Sequence, residues 1–486
     1  MTSRPASRHE LPPAGDICKM PATAIARAIA ARALSVREVA AAFLDRIEAA
    51  NPKVNAIVSL RGRGDILAEA GAMDARLASG EAPGPLFGLP IAIKDLAETK
   101  GIRTTWGSPI FADFVPGIDA IFVERMREAG AIIIGKTNAP EFGFGSNTYN
   151  PVFGPTLNAF DPSLTAGGSS GGAAVALALD MLPLADGSDY GGSLRNPAAY
   201  NNVYGLRPSQ GLVPGGPEGE LFLAQIGLEG PMARGVRDLA LLLDVQAGHD
   251  PRAPLSHASE KGFLAGLDTP AGKGRIAWLG DLGGHLPTET GLIALCETAV
   301  RRFEAAGWEV DATVPAFDYE ALWQAFIDLR HATSGSGLKP LYDDPEKRRL
   351  LKPEAVWEIE GALHLTAPRI HAASAVRSDW YRTVAALLTT YDLLALPTAQ
   401  VFPFPVGIHW PDTVAGRKMR TYHEWMQVSA YASMAGCPAL NVPAGFDAAG
   451  RPMGIQLVGR PRGDLAVLRA GALYESLLDW PAGASA

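Results

Sequence analysis

The chain reads as an α/β protein, with a central sheet covered by helices on both faces. Three observations predict this. Apolar runs of strand length, PLFGLPIAIKD (Pro85–Asp95) and AIIIGK (Ala131–Lys136), alternate with stretches of helical period at Asp119–Ala129 and Val236–Gln246. The alternation resumes after residue 272 with RIAWLG and WEVDATV. YDLLALPTA, LNVPAG and PMGIQLVG then supply late buried strands. The sheet therefore draws on both halves of the 486 residues, which favours one large domain over two independent ones.

The elements follow in order. Residues 1–20 read as a tail. MTSRPASRHELPPAGD has no apolar h-region, and no run approaches the ~18–20 apolar residues that span a bilayer, so a cytoplasmic protein is expected. Residues 22–80 read as a helical segment. ATAIARAIAARAL is followed by Ser35 as N-cap of VREVAAAFLDRIEAA, stopped at Asn51-Pro52, and Asp65–Leu77 is a third amphipathic helix. Such a segment packs against the main body or against a second copy of the chain, which leaves a homodimer open. The catalytic core, residues 85–235, is expected to hold a helix at Ala173–Leu179 and a short strand at MLPLA (Met181–Ala185). Residues 248–272 are rich in turn formers, a linker or excursion. Thr288–Ala306 reads as a helix. Residues 310–390, mainly helical from Ala321 to Leu388 and rich in Trp, Tyr and His, read as a substrate-side excursion. Residues 21–480 then make one domain, with 481–486 a C-terminal tail.

Composition narrows the class. Hydrophobic residues at 47% and charged ones at 19% suit a globular enzyme. A net charge of −8 gives no support to nucleic acid or an anionic membrane as partner. Cys18, Cys296 and Cys437 are too few and too scattered for a disulfide framework or a metal site.

The chemistry concentrates in Ala166–Arg207, AGGSSGGAAVALALDMLPLADGSDYGGSLRNPAAYNNVYGLR, where Ser169 and Ser193 each lie among glycines. Glycine pairs beside a polar side chain suggest tight backbone whose N–H groups can face a ligand. Gly167–Gly171 formally matches a G-x-S-x-G nucleophile elbow, but the preceding AFDPSLTA is a loop where that motif needs a strand. A Ser–His–Asp triad would have to recruit His409 or His423. A phosphate loop would need a G-K-[ST] ending, which is missing. A lysine base remains. A serine hydroxyl needs a proton acceptor, and burial can lower a lysine's pKa enough to provide one. Lys94 after LPIAI and Lys136 after AIIIG both end apolar runs, and spacing alone leaves the choice open.

GLPIAIKD (Gly88–Asp95), KTNAPEF (Lys136–Phe142), NPVFGPTLN (Asn150–Asn158), TAGGSSGGAA (Thr165–Ala174), SDYGGSLRNPA (Ser188–Ala198), GLRPS (Gly205–Ser209), PALNVPAG and PMGIQLVG together resemble the amidase signature family, in its order and spacing, from about residue 20 to 480. The resemblance implies the amidase signature fold: a large mixed, mostly parallel β-sheet covered by helices on both faces, after a helical N-terminal segment. It implies a Ser–cis-Ser–Lys triad with Ser193 as nucleophile, Ser169 as relay and Lys94 as base, leaving Lys136 structural. The backbone N–H groups of Tyr190, Gly191, Gly192 and Ser193 would form the oxyanion hole. Ser170 would support the loop, Asp189 and Arg195 would pair to hold the turn, and Gly143, Phe144 and Gly145 would line the acyl side. No metal or organic cofactor is called for.

Tyr190 departs from the Thr or Ile usual there, and its ring could reshape the pocket. VFPFPVGIHW (Val401–Trp410) is either a packed turn or a wall of the substrate tunnel. The implied activity is hydrolysis of small-molecule carboxylic amides, aryl or otherwise bulky, with esters and carbamates (urethanes) also within reach. The alternative is the glutaminase component of a tRNA-dependent amidotransferase. That component should carry an acid upstream of a late N-L-A-G-type segment, where this chain has Trp425 and Met426, with Glu424 adjacent. A silent binding protein of the same fold is disfavoured because all three triad positions are intact.

Overall fold

In the computed structural model, which describes residues 15–216, 219–258 and 262–478, thirteen strands form among those residues. In chain order they are β1 (Ile57–Val58), β2 (Pro90–Lys94), β3 (Ile132–Thr137), β4 (Ala185–Asp189), β5 (Tyr204–Arg207), β6 (Leu228–Ala233), β7 (Arg275–Trp278), β8 (Glu309–Ala312), β9 (Leu393–Pro397), β10 (Thr413–Val414), β11 (Arg417–Lys418), β12 (Ala439–Phe446) and β13 (Pro452–Val458). The main sheet has the order β4-β6-β5-β12-β13-β9-β7-β8, and β1-β3-β2 form a smaller one. Late strands β12, β13 and β9 lie between early β5 and β7, so both halves of the chain build one sheet.

The architecture is mixed α/β, as expected, but the expectation of a mostly parallel sheet is corrected. In the main sheet only β7–β8 and β7–β9 are parallel. The pairings β4–β6, β6–β5, β5–β12, β12–β13 and β13–β9 are antiparallel. The cause is local. β12 and β13 form a hairpin, its turn closed by the Asp447 N–H donating to the Arg451 carbonyl. Every residue of β9, β12 and β13 is buried, and doubly covered antiparallel strands carry the same continuous apolar run as parallel ones.

The N-terminal helices Ala22–Ala30 and Val36–Ala50 form as predicted, and Ser35 with Glu38 makes a full capping box. They pack on the main body. Ile25, Ile29, Val39, Phe43 and Ile47 enter its core, and burying each such side chain contributes roughly 1.5–3 kcal/mol. The N–H groups of Ala22 and Thr23 donate to Asp238, and Arg46 Nε donates to the Leu179 carbonyl. Two boundaries move. Asp16–Lys19 is helical with Cys18 buried, inside the stretch read as a tail; residues 1–14 and 481–486 lie outside the described residues. The strand read at Met181–Ala185 begins only at Ala185, because Pro183 cannot donate to a ladder. Residues 319–390 are mainly helical as predicted, including Tyr319–Arg330, a π turn at His331–Gly335, Pro353–Leu363 and Ala367–Thr390. Among the described residues no helix is long and apolar enough to cross a membrane.

Candidate active site

β2 ends in Lys94, whose side chain is fully enclosed. Its backbone N–H donates to the Asp186 carboxylate on the neighbouring β4 (3.1 Å), which fixes where the side chain departs. Nζ lies 2.7 Å from Ser169 Oγ, 2.8 Å from Ser170 Oγ, 2.8 Å from Ser188 Oγ and 3.4 Å from the Ser188 carbonyl. Burial pushes the Lys94 ammonium down to about 8; Glu229, Asp186 and Asp189 oppose that push without cancelling it. Burial also pushes Asp186 up to about 6, against the pull of Lys136 and Lys94.

Lys136, the other strand-end lysine, is equally enclosed and also lowered to about 8 by burial. Its Nζ donates to the Ala97 carbonyl (2.6 Å) and Thr99 Oγ1 (2.7 Å). Among the described residues no serine of the glycine-rich stretch bonds to it. Contact geometry separates the two lysines that spacing could not.

Ser169 follows a cis Gly168–Ser169 peptide bond and stands just before the helix Gly171–Ala178. Gly168 has no room for a side chain, since an added Cβ would lie 2.9 Å from Asn147 N. The preceding segment is a loop, as the sequence indicated.

Ser193 lies in a strand–turn–helix unit between β4 and the helix Arg195–Tyr200. Asp189 organises the turn. Its carboxylate accepts from Gly192 N (2.8 Å), Leu194 N (3.1 Å), Arg195 Nε (3.0 Å) and Arg195 Nη2 (2.9 Å). Arg207 adds a second fully buried guanidinium at 3.2 Å. Burial alone would raise the Asp189 carboxyl, but Arg195 and Arg207 hold it well below the usual carboxylate range. The predicted Asp189–Arg195 pair is present. Arg207, in GLRPS, is the member that sequence reading left without a role.

This network corrects one expected donor. The Gly192 N–H is already given to the Asp189 carboxylate. Among the described residues no acceptor is paired with the N–H groups of Tyr190, Gly191 or Ser193. The glycines are needed for packing: a Cβ on Gly191 would lie 2.8 Å from Phe326 Cζ, and one on Gly192 (φ +123°) 2.3 Å from Ser429 Oγ.

The two serine turns are stitched by the Ser170 N–H donating to the Ser193 carbonyl (3.1 Å). No bond joins the Ser169 and Ser193 hydroxyls among the described residues. Ser193 lines a narrow cleft, partly open to solvent, with Gly143, Gly145, Trp323, Phe326 and Met426 on its walls. Gly143 adjoins Ser169, whose Oγ would be 3.6 Å from an added Cβ. Phe144 does not line the cleft. The turn buries its ring among Leu351, Ala355, Ile359 and Tyr422. The Tyr190 ring is also behind the wall, edge-on to Phe326 (5.8 Å), with its hydroxyl 3.2 Å from Thr333 Oγ1. No residue of Val401–Trp410 lines the cleft; Phe404 packs on Trp425, and His409 stacks on Tyr149. His423 does line it, but burial pushes its imidazole down to about 3, and its Nδ1 is taken by Thr421 Oγ1 (2.8 Å).

Ser188, Asp186 and Arg207 lie inside Ala166–Arg207, the stretch where the sequence concentrates its chemistry, so their positions were visible although their contacts were not. Arg330 reaches the cleft from the end of the helix Tyr319–Arg330, and Tyr422 and Met426 from a turn and the short helical segment that follows it, far later in the chain. No local spacing links Arg330 to the other two.

The family profile described as Amidase matches residues 38–468. The chain is 36% identical to an acylamidase of Rhodococcus erythropolis over 468 residues, covering 94% of this chain and 95% of that protein. It is 37% identical to a glutamyl-tRNA(Gln) amidotransferase subunit from Thermus thermophilus, covering 85% and 88%. In three dimensions it resembles a bacterial aryl acylamidase of the amidase signature enzymes, with TM-score 0.89, 28% identity and coverage of 96% and 98%. Family profile, relatives and fold agree, and the chain belongs to the amidase family as an amide-hydrolysing enzyme.

Proposed function

We propose that the protein is a free-standing serine amidase that cleaves aryl or bulky small-molecule amides through an acyl-enzyme on Ser193, with Lys94 as base and Ser169 as relay. The observation that carries this reading is the environment of Lys94 Nζ. A neutral amine offers two N–H donors and one lone pair. Three hydroxyls lie within 2.8 Å of it, so it can donate to Ser170 and Ser188 while accepting from Ser169. The lone pair is thereby aimed at the hydroxyl that must be activated. Ser169 deprotonates Ser193 as Lys94 takes the Ser169 proton, and Ser193 Oγ attacks the carbonyl carbon. The second hydroxyl bond of the relay forms when substrate seats Ser193, as catalytic hydrogen bonds tighten on binding. The N–H groups of Tyr190, Gly191 and Ser193 receive the oxyanion, while Gly192 holds the turn to Asp189. Ser169 returns its proton to the leaving amine, and water then releases the acid. Esters and carbamates present the same carbonyl to the same nucleophile.

The glutaminase alternative needs an acid to receive the glutamine ammonium. Met426 faces the cleft where that acid is sought, and Trp425 is buried beside Phe404. Glu424 is tied to Arg420 (2.9 Å to Nε), and no acidic side chain lines the cleft among the described residues. Those features favour a small-molecule amide, as the names of the Rhodococcus acylamidase and the aryl acylamidase also do. A panel of L-glutamine, acetamide, benzamide, an anilide and an aryl carbamate, assayed without any partner protein, tests this. Turnover of the aryl substrates is expected, and turnover of glutamine alone would overturn it.

A further inference from the structure

The cleft that Ser193 lines also carries a buried charged side chain that the amidase chemistry does not use. Arg330 ends the helix Tyr319–Arg330, immediately before the π turn, and is 7% exposed. Its Nε donates to Glu358 Oε1 (2.5 Å) and its Nη2 to the Tyr422 hydroxyl (3.2 Å). Its guanidinium carbon sits 5.0 Å from the Phe144 ring centre and 4.9 Å from that of Tyr190. Two aromatic faces and two hydrogen bonds thus lock the plane. Nη1 alone has no partner among the described residues, and Arg330 lines the cleft that holds Ser193. Nη1 is not among the fully buried unpaired atoms, so it is open to whatever fills the cleft.

We infer that Arg330 is a specificity-determining residue, whose Nη1 donates a hydrogen bond to a neutral oxygen acceptor (ketone, nitro or ether) carried by the substrate away from the scissile amide. The acceptor is neutral because the guanidinium charge is already balanced. Glu358 is fully buried and paired with it, Tyr422 also donates to that carboxylate, and His331 Nδ1 lies 3.0 Å from Oε2 without good alignment. Burial alone would raise the Glu358 carboxyl, but Arg330 and the neighbouring histidines hold it down at about 2, so it is ionised. No other lysine or arginine lines the cleft among the described residues, so a substrate carboxylate would meet the field of Glu358 with no second cation to offset it. Trp323 and Phe326, stacked at 5.1 Å, offer a flat apolar wall for the ring bearing the acceptor.

The inference rests on the amidase reading, so the test separates the two. Matched series of 4-acetyl, 4-isopropyl and 4-carboxy acetanilides, and of the corresponding ring-substituted benzamides, report on both sides of the amide. Wild-type enzyme should prefer the acetyl to the isopropyl compound by tenfold or more in kcat/KM in one series, mostly through KM, with no such gain for the carboxylate. R330M/E358Q, which removes both charges together, should lose that preference while turning over the isopropyl compound. If that double variant does not fold, R330K, which keeps the charge but not the planar fork, should lose it instead. Calorimetry of the same ligands on S193A reads the preference without turnover. Total absence of hydrolysis by wild type would refute the proposed function, yet leave this binding comparison to judge Arg330. An acetyl preference unchanged by the variants, or a preference for the carboxylate, would overturn the inference.

Discussion

The pH dependence of kcat/KM tests the role assigned to Lys94. A lysine lowered from 10.5 to about 8 by burial is roughly one-tenth neutral at pH 7, against about 1 in 3,000 for a solvated one. The site therefore supplies about 300 times more free base at that pH. The charged groups around Lys94 are Asp186, Asp189 and Glu229. Asp189 lies far below the range, and Asp186, at about 6, is mostly ionised above pH 7. The rise above pH 7 is then that of Lys94: about fivefold from pH 7 to 8, half-maximal near 8 and nearly level above about 9, roughly tenfold in all. Stability carries the same signature. The folded pKa lies below the unfolded one, so the unfolded chain binds more protons between about 8 and 10.5. Stability therefore increases with pH across that window, by about 3 kcal/mol for this one group. Lys136 adds a parallel slope, so the diagnostic quantity is the difference between wild type and Lys94→Met in denaturant titrations at several pH values. A level kcat/KM from pH 6 to 9, or identical stability slopes in the two proteins, would refute the reasoning.

Two further perturbations act through the turn. Asp189→Asn removes the charge that compensates two fully buried guanidinium groups, and should cost about 3–5 kcal/mol in chemical denaturation and nearly all activity. Gly192→Ala puts a Cβ 2.3 Å from Ser429 Oγ at a left-handed φ, and should lower kcat at least ~100-fold, with destabilisation of about 2 kcal/mol or more. Ser429→Gly, which removes both Oγ (2.3 Å) and Cβ (2.7 Å) from the contact, should partly rescue Gly192→Ala if that clash is the cause; absence of rescue would point to the left-handed backbone.

Much of the site was legible because its parts are local. Lys94 ends an apolar run, Ser169 and Ser193 lie in glycine turns, and Asp189 and Arg195 are six residues apart on one turn. Burial and packing fix such features within a few residues of chain, and sequence carries them directly. Strand direction was not legible in the apolar pattern. β12 and β13 are buried on both faces, so their runs look the same for either direction; only the short connection, too short for a crossover, makes them a hairpin. The Gly192 donor was misread because the Asp189 carboxylate, three residues earlier, competes for that N–H at 2.8 Å. The cleft wall was illegible for a different reason. Arg330, Glu358 and Tyr422 meet only because two helices and a turn converge, and each alone reads as an ordinary residue of its own segment.

The most direct test of the account is to label the protein with a serine-directed fluorophosphonate and locate the added mass by peptide mapping, alongside the activity and melting curve of Ser193→Ala. One adduct is expected, on the peptide that carries Ser193, and a variant that melts like wild type but hydrolyses no amide. An adduct on another serine, or a Ser193→Ala protein retaining a tenth of wild-type activity, would contradict it.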